Sequence, residues 1–404
     1  MKKTWKVGGG VLLVGAVIGG VFLWKGLTPR GIYYDLCEGE PEYQVLTTKG
    51  GRISWSRTTG KIAFDSNDLP EAIENGAHLV YSMAPDGSDI QCVTCGVFPK
   101  GWTVGNPTWG PKGRWLVVQV ADNACGVNRN LTSPGGGFAS DLYAVDTHTG
   151  KAKLIRDVPC DDSNGVLHAN VSDSGEKLSW SEVNNKVELF TSNLQFGGWT
   201  LMTANIDWAE EGPVLSDIEG RVPGITGFYE NHGFSADGSR LIYTASNQDE
   251  PGFQQTTISE LELDTGKVSV IATTGFNEHA KYVGNGESIL FMSDPNRTVM
   301  LSLAGYRDND YHVARLDGRA RCQLTSFNEE GEFPSLEIEG HPSDEFSYAV
   351  TDVSSGPEPD AVVGRMIVNA GHPLPVGNLG AENWIVKITS PFIANGLPHQ
   401  TEED

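Results

Sequence analysis

A strand–turn–strand segment that recurs six times constrains this chain more than any other feature. It reads NPTWGPKGRWLVV from Asn106, HANVSDSGEKLSWSE from His168, NHGFSADGSRLIYTA from Asn231 and HAKYVGNGESILFMSD from His279. RISWSRTTGKIAF from Arg52 and a degenerate FPSLEIEGHPSDEFSYAV from Phe333 complete the set, roughly 45 to 65 residues apart. After the segment come a third strand, a turn and a fourth. HLVYSMAPDGSDIQCVT turns at Asp86-Gly87, DLYAVDTHTGKAKLIRD at Thr149-Gly150, ISELELDTGKVSVIAT at Thr265-Gly266 and DYHVARLDGRARCQLTS at Asp317-Gly318. Such dipeptides between alternating apolar residues signal hairpins, because glycine takes positive φ without strain.

Four strands taken six times predict an all-β fold: a six-bladed β-propeller of four-stranded antiparallel blades over residues 42–390. The run EYQVLTT (Glu42 to Thr48) precedes the first copy, and the sixth copy lacks a fourth strand after NWIVKIT. If the early strand completes the last blade, the ring closes and leaves no open edge. The 49 glycines and the lack of Lys-, Glu- and Ala-rich helical stretches agree with many short strands.

The two ends read differently. Residues 1–25 are expected to form a single N-terminal transmembrane helix, because Val7 to Trp24 carries no charge between Lys2, Lys3, Lys6 and Lys25. As a helix this run is about 27 Å long, enough to cross the hydrocarbon core. The lysine cluster puts the N-terminus in the cytoplasm and the rest outside, in the periplasm of a bacterium. Gly15 and Gly19 form a G-x-x-x-G that permits close helix packing in the membrane. Residues 26–41 are expected to be a linker, and 391–404 a mobile acidic tail.

The formal charge is −23, and residues 1–25 hold four lysines and no acid, so residues 26–404 carry −27. A domain so acidic repels nucleic acid and anionic lipid. Six cysteines, Cys37, Cys92, Cys95, Cys125, Cys160 and Cys322, form an even set suited to disulfides in an oxidising compartment. With no second C-x-x-C and no C-x-x-C-H, the Cys92–Cys95 pair reads as structural.

GFSADGSRLIYTA and the LTS strand before EFPS resemble the TolB-type, WD-like repeat of bacterial envelope propellers. The resemblance covers most of residues 40–390 and implies the fold. It implies little about activity, because such blades occur in scaffolds, in lyases and in peptidases that add a catalytic domain. The turns RTTG, VGNG and EGHP of copies one, five and six depart from the pattern, which leaves those blade boundaries open.

Aligning the turn glycines puts Asn106, His168, Asn231 and His279 at one repeat position, with His232 beside it. They are expected to ring the channel mouth. Long loops after the second strands (122–140, 184–198, 246–255, 294–309, with an insertion at 354–380) make that face the candidate binding surface. Two readings of the ring stand side by side. In one, its members bond to backbone groups of neighbouring blades. In the other, His168, His232 and His279, with Glu230 and Glu278 supplying oxygens, hold Ca²⁺, Mn²⁺ or Zn²⁺. The second resembles the propeller lyases of pectic oligosaccharides, in which a metal acidifies the proton beside the uronate carboxylate. Against it, the basic residues on the predicted loops (Arg129, Lys186, Arg297, Arg307) are scattered. No G-x-S-x-G, H-E-x-x-H or P-loop occurs. The sequence therefore favours a non-catalytic binding module, accessory to an integral membrane protein complex of transport, respiration or photosynthesis. A metal-assisted carbohydrate lyase or hydrolase is the alternative.

Overall fold

Apolar alternation interrupted by glycine turns builds six antiparallel four-stranded sheets among the described residues. The computed structural model describes residues 34–129, 131–183, 198–224, 227–246, 256–296, 309–327, 346–370 and 382–398. Strand β1 (Glu42–Thr47) comes first in the chain. Blade one is β2 to β5 (Ile53–Trp55, Ile62–Ser66, Leu79–Met83, Gln91–Cys92), with a short helix α1 (Pro70–Asn75) between β3 and β4. Blade two is β6 to β9 (Thr103–Trp109, Trp115–Ala121, Ser140–Asp146, Ala152–Arg156). Blade three is β10 to β13 (Gly165–Val171, Lys177–Val183, Trp199–Asp207, Val214–Arg221), and blade four β14 to β17 (Tyr229–Phe234, Arg240–Ser246, Thr256–Glu262, Val268–Ala272). Blade five is β18 to β21 (Phe276–Val283, Ser288–Asp294, Asp310–Arg315, Arg321–Gln323). The hairpin glycines Gly60, Gly113, Gly175, Gly238 and Gly286 all have positive φ, as the repeat requires.

Blade six closes the ring as expected but is displaced by one strand from the sequence reading. Its order is β1-β24-β23-β22, with β22 at Phe346–Ser355, β23 at Ala361–Ala370 and β24 at Glu382–Thr389. The hairpin turn therefore spans residues 356–360, GPEPD, and not EGHP. Much of the expected 354–380 insertion is the second strand. Two prolines fix that turn, whereas β23 carries a glycine that disguises it as a loop. Gly364 is small for a reason: a Cβ there would lie 2.6 Å from Tyr311 Oη. That hydroxyl donates to the Asp352 carbonyl (2.7 Å). Gly364→Ala should therefore lower stability by about 1–3 kcal/mol through overpacking, read as a shift in the thermal midpoint; an unchanged midpoint would mean that Tyr311 moves freely.

Blades pack through their apolar faces. Met292, Tyr311 and Val313 of blade five meet Val350, Val362 and Met366 of blade six. Val117 and Leu142 of blade two meet Leu178 and the fully buried Trp180 of blade three.

Two segments flanking the ring, residues 34–37 and 390–397, dock on blade five. Leu36 bridges Gln323 and Cys37 is disulfide-bonded to Cys322, so the last part of the expected linker is held against β21. The other pairs are Cys92–Cys95 and Cys125–Cys160. The expected tail is ordered at its start. Ser390 caps helix α2 (Pro391–Asn395), Ile393 is buried, and the Leu397 amide donates to Ser288 Oγ. Its apolar residues have a surface to cover. The expected membrane segment, with Gly15 and Gly19, lies outside the described residues; among those described, no helix is long and apolar enough to cross a membrane.

Candidate functional site

Five of the six innermost strands carry a β-bulge at the same height. The register shifts between Gly105 and Thr108, Leu167 and Asn170, Asn231 and Gly233, Glu278 and Lys281, and Val350 and Val353. A bulge inserts an unpaired residue and re-aims its side chain, which is why bulges favour functional sites. Asn106, His168 and His279 sit at the bulges with φ of 51°, 50° and 53°. Left-handed backbone at non-glycine residues persists only where surroundings over-determine it.

The bulges bring His168, His232 and His279 together, with ring centroids 5.3 to 6.0 Å apart, all three buried. His168 Nδ1 lies 2.9 Å from Glu230 Oε1. His279 Nδ1 lies 3.1 Å from Asp352 Oδ1, and Arg52 Nη1 donates to the same oxygen at 2.5 Å. Arg52 Nη1 also faces His279 Nε2 at 3.4 Å, and Arg365 Nη1 is 3.5 Å from Asp352 Oδ2. Asn106 and Asn231 stay out of this cluster. Asn106 Nδ2 donates to the Pro134 carbonyl of the 122–140 loop (3.3 Å), and Asn231 Nδ2 to the His168 carbonyl (2.7 Å). In blade four the bulge falls one residue late, so His232 is the residue extruded.

Three amides at or beside the bulges are bonded by a neighbouring blade. Asn106 N–H donates to Asp65, Asn231 N–H to Ser181 Oγ, and His279 N–H to His232 Nε2 (3.2 Å). The last bond decides a tautomer. An amide can only donate, so His232 Nε2 holds a lone pair and its proton sits on Nδ1. Thr244 Oγ1 lies 2.6 Å from the same nitrogen. His168, by contrast, gives its Nδ1 proton to Glu230 and leaves Nε2 buried without a partner. This is the carboxylate–imidazole arrangement that orients metal ligands and general bases.

Charge follows from the contacts. Burial would raise the Asp352 carboxyl, but Arg52, His279, His168 and Arg365 hold it well below the usual range. Glu230 is likewise held low, against its burial, by the three histidines. Burial keeps His279 neutral, down to about 4, although Asp352 and Glu230 pull the other way. His232 is lowered further by the same burial.

Ligand atoms of His168, His232 and His279, and of Glu230, Glu278 and His279, lie within 4.8 Å of one another, a spacing that fits a metal ion. His168 Nε2 could take a cation as it stands. His279 would have to give up Arg52, and His232 would have to release the His279 amide. Arg52, Arg365 and Asp352 escaped the sequence reading. Asp352 lies just beyond the misplaced sixth copy, in the bulge of β22 between Val350 and Val353. Basic groups were sought on the long loops, but Arg52 stands just before β2 and Arg365 on β23.

The channel opens into a cavity of about 420 Å³ on the loop face, lined by Arg52, His78, Glu278 and Arg365 together with Ser133 to Gly135 of the 122–140 loop. The expected long loops at 184–197, 247–255 and 297–308 lie outside the described residues. At the hairpin-turn end a second cavity of about 360 Å³ is lined by Trp55, Trp109 and Lys281 among others.

No family model matches the chain, and no curated protein matches it. Among solved structures it is similar to TolB from Acinetobacter baumannii (15% identity, TM-score 0.45), over 71% of this chain and 55% of that one. The chain thus spans about half of that TolB. A putative TolB from Agrobacterium tumefaciens gives 16% identity and a TM-score of 0.43, over 75% of this chain and 94% of that one. An oligogalacturonate lyase in complex with manganese gives 12% and 0.47, over 89% and 96%. These likenesses carry no argument about activity; the chain is an all-β six-bladed propeller with TolB-type structural neighbours.

Proposed function

We propose that this propeller is a non-catalytic docking module, tethered by residues 1–25 in the cytoplasmic membrane and facing the periplasm. Its partner is an integral membrane protein complex, of which it is an accessory subunit. One observation carries the reading: the channel groups are spent on one another. Arg52, Asp352 and His279 join blades one, six and five, and His232 accepts the amide of the next blade. Bonds of this kind between blades tie the ring together and leave the faces to make contacts. Purification of the full chain in mild detergent should retain a partner in fixed stoichiometry through gel filtration. Recovery of the chain alone, from the membranes of its own cells, would overturn the proposal.

The unpartnered His168 Nε2 favours a second reading, a metal-assisted carbohydrate lyase or hydrolase. There His168, His232 and His279 hold a divalent ion, which would acidify a proton beside a carboxylate. Glu230 would orient His168, while Arg52 and Arg365 would supply the cations for an acidic sugar that the loops lack. Stoichiometric metal that is lost in His168→Ala would move the assignment to this reading.

A further inference from the structure

The hairpin-turn end of the channel carries chemistry that neither reading uses. Lys281 leaves the bulge of β18 and lies half-buried on the floor of that mouth, lining both the 360 Å³ cavity and the narrow void beneath the histidines. Its ammonium has three donors. One goes to the His232 carbonyl at 2.5 Å and one to Asn170 Oδ1 at 2.9 Å, both neutral acceptors. Among the described residues, no carboxylate pairs with it. Asp352, whose charge acts on it from a distance, is committed to Arg52, Arg365 and His279. A half-buried ammonium held only by neutral acceptors keeps a charge that an anion can offset.

The surroundings supply the rest of a site. In a chain with 52 acids against 29 lysines and arginines, this mouth reverses the sign. Its lining holds Arg57, Lys112 and Lys281 against Asp173 alone, and Asp173 is engaged by Arg57 at 2.9 Å. Ser355 Oγ, in the same wall, is buried without a partner. The volume is that of a small-molecule pocket. Every turn that bounds it is described, so the site is complete without the loop face.

We infer that the hairpin-turn mouth binds a small oxyanion, with Lys281 as the anchoring cation and Ser355 as a hydroxyl donor. One oxygen takes the third Lys281 donor; Arg57 and Lys112 attract the anion from the rim. The chemistry is shared by carboxylate, phosphate and sulfate groups. The inference does not rest on the docking proposal.

Calorimetric titration of the full chain with inorganic phosphate, sulfate or acetate, at fixed ionic strength, tests it. At least one of them should bind saturably at one site per chain, and tetrahedral or planar preference identifies the oxyanion class. Lys281→Met should weaken binding by about tenfold or more, as loss of one charge-assisted bond implies, while Lys281→Arg retains it. Should Lys281→Met fail to fold, Ser355→Ala and Arg57→Gln should each weaken binding by roughly threefold. Absence of saturable binding by all three anions, or binding indifferent to these substitutions, would overturn the inference.

Discussion

Asp352→Asn should lower the unfolding free energy by roughly 3–5 kcal/mol, the effect of removing one partner from a buried ion pair. The side chains of Arg52 and Asp352 are only 13% and 11% exposed, so water cannot replace what is lost. Without the carboxylate, two buried guanidiniums face each other and His279, with Glu230 acting on Arg52 and Asp65 on both as the remaining counter-charges. The damage crosses blade boundaries, because Asp352 joins blade six to Arg52 of blade one and to His279 of blade five. Arg52→Met combined with Asp352→Asn should recover part of the loss, since the uncompensated charge is then removed. Urea unfolding of the two single variants and the double variant gives the coupling directly. A loss below about 1 kcal/mol for Asp352→Asn would mean that solvent reaches the axis.

Most of the ring was legible from the sequence because its periodic signals are local. Thr149-Gly150 and Asp317-Gly318 specify turns by φ alone, and Gly150 and Gly318 take it. The closure by β1 followed from counting strands. Blade six was misplaced where local signals mislead. Gly364 looks like a breaker but is a strand residue under Tyr311, a contact no window of sequence contains. The convergence of His168, His232 and His279 was legible, since they recur with the turns. Their counter-ions were not: Arg52 and Asp352 are 300 residues apart, and only ring closure makes them neighbours. Asn231 illustrates the limit of alignment. It shares the repeat position of His168, yet a bulge one residue later turns it into a bracket and delivers His232 in its place.

Acidification should unfold this protein well before its carboxylates titrate. Burial lowers His78, His232, His279 and His312, so these imidazoles are neutral when folded and protonate when unfolded. The unfolded chain then binds more protons, and stability rises with pH across the window. For His279 that window runs from the ordinary 6.5 down to about 4. Its contribution is complete above 6.5 and is lost as the pH falls towards 4, amounting to about 2 kcal/mol by pH 5. The other three act with the same sign. Asp352 and Glu230, held low, lose their contribution only below the usual carboxylate range. Asp65, which burial raises, works in the opposite sense, favouring the folded state as acid is added. Asp141, raised by burial as well, acts in the same sense, and the two protons are outnumbered by the four histidines. Urea unfolding of the full chain between pH 7 and pH 5 should therefore show a midpoint that falls steadily, by about 1.4 kcal/mol per pH unit for each proton taken up. His279→Asn should flatten that slope even though it lowers the plateau at pH 7. A midpoint that stays level, or rises, as the pH drops to 5 would show that these histidines are already charged in the folded ring, and the neutral, mutually bonded axis would have to be abandoned.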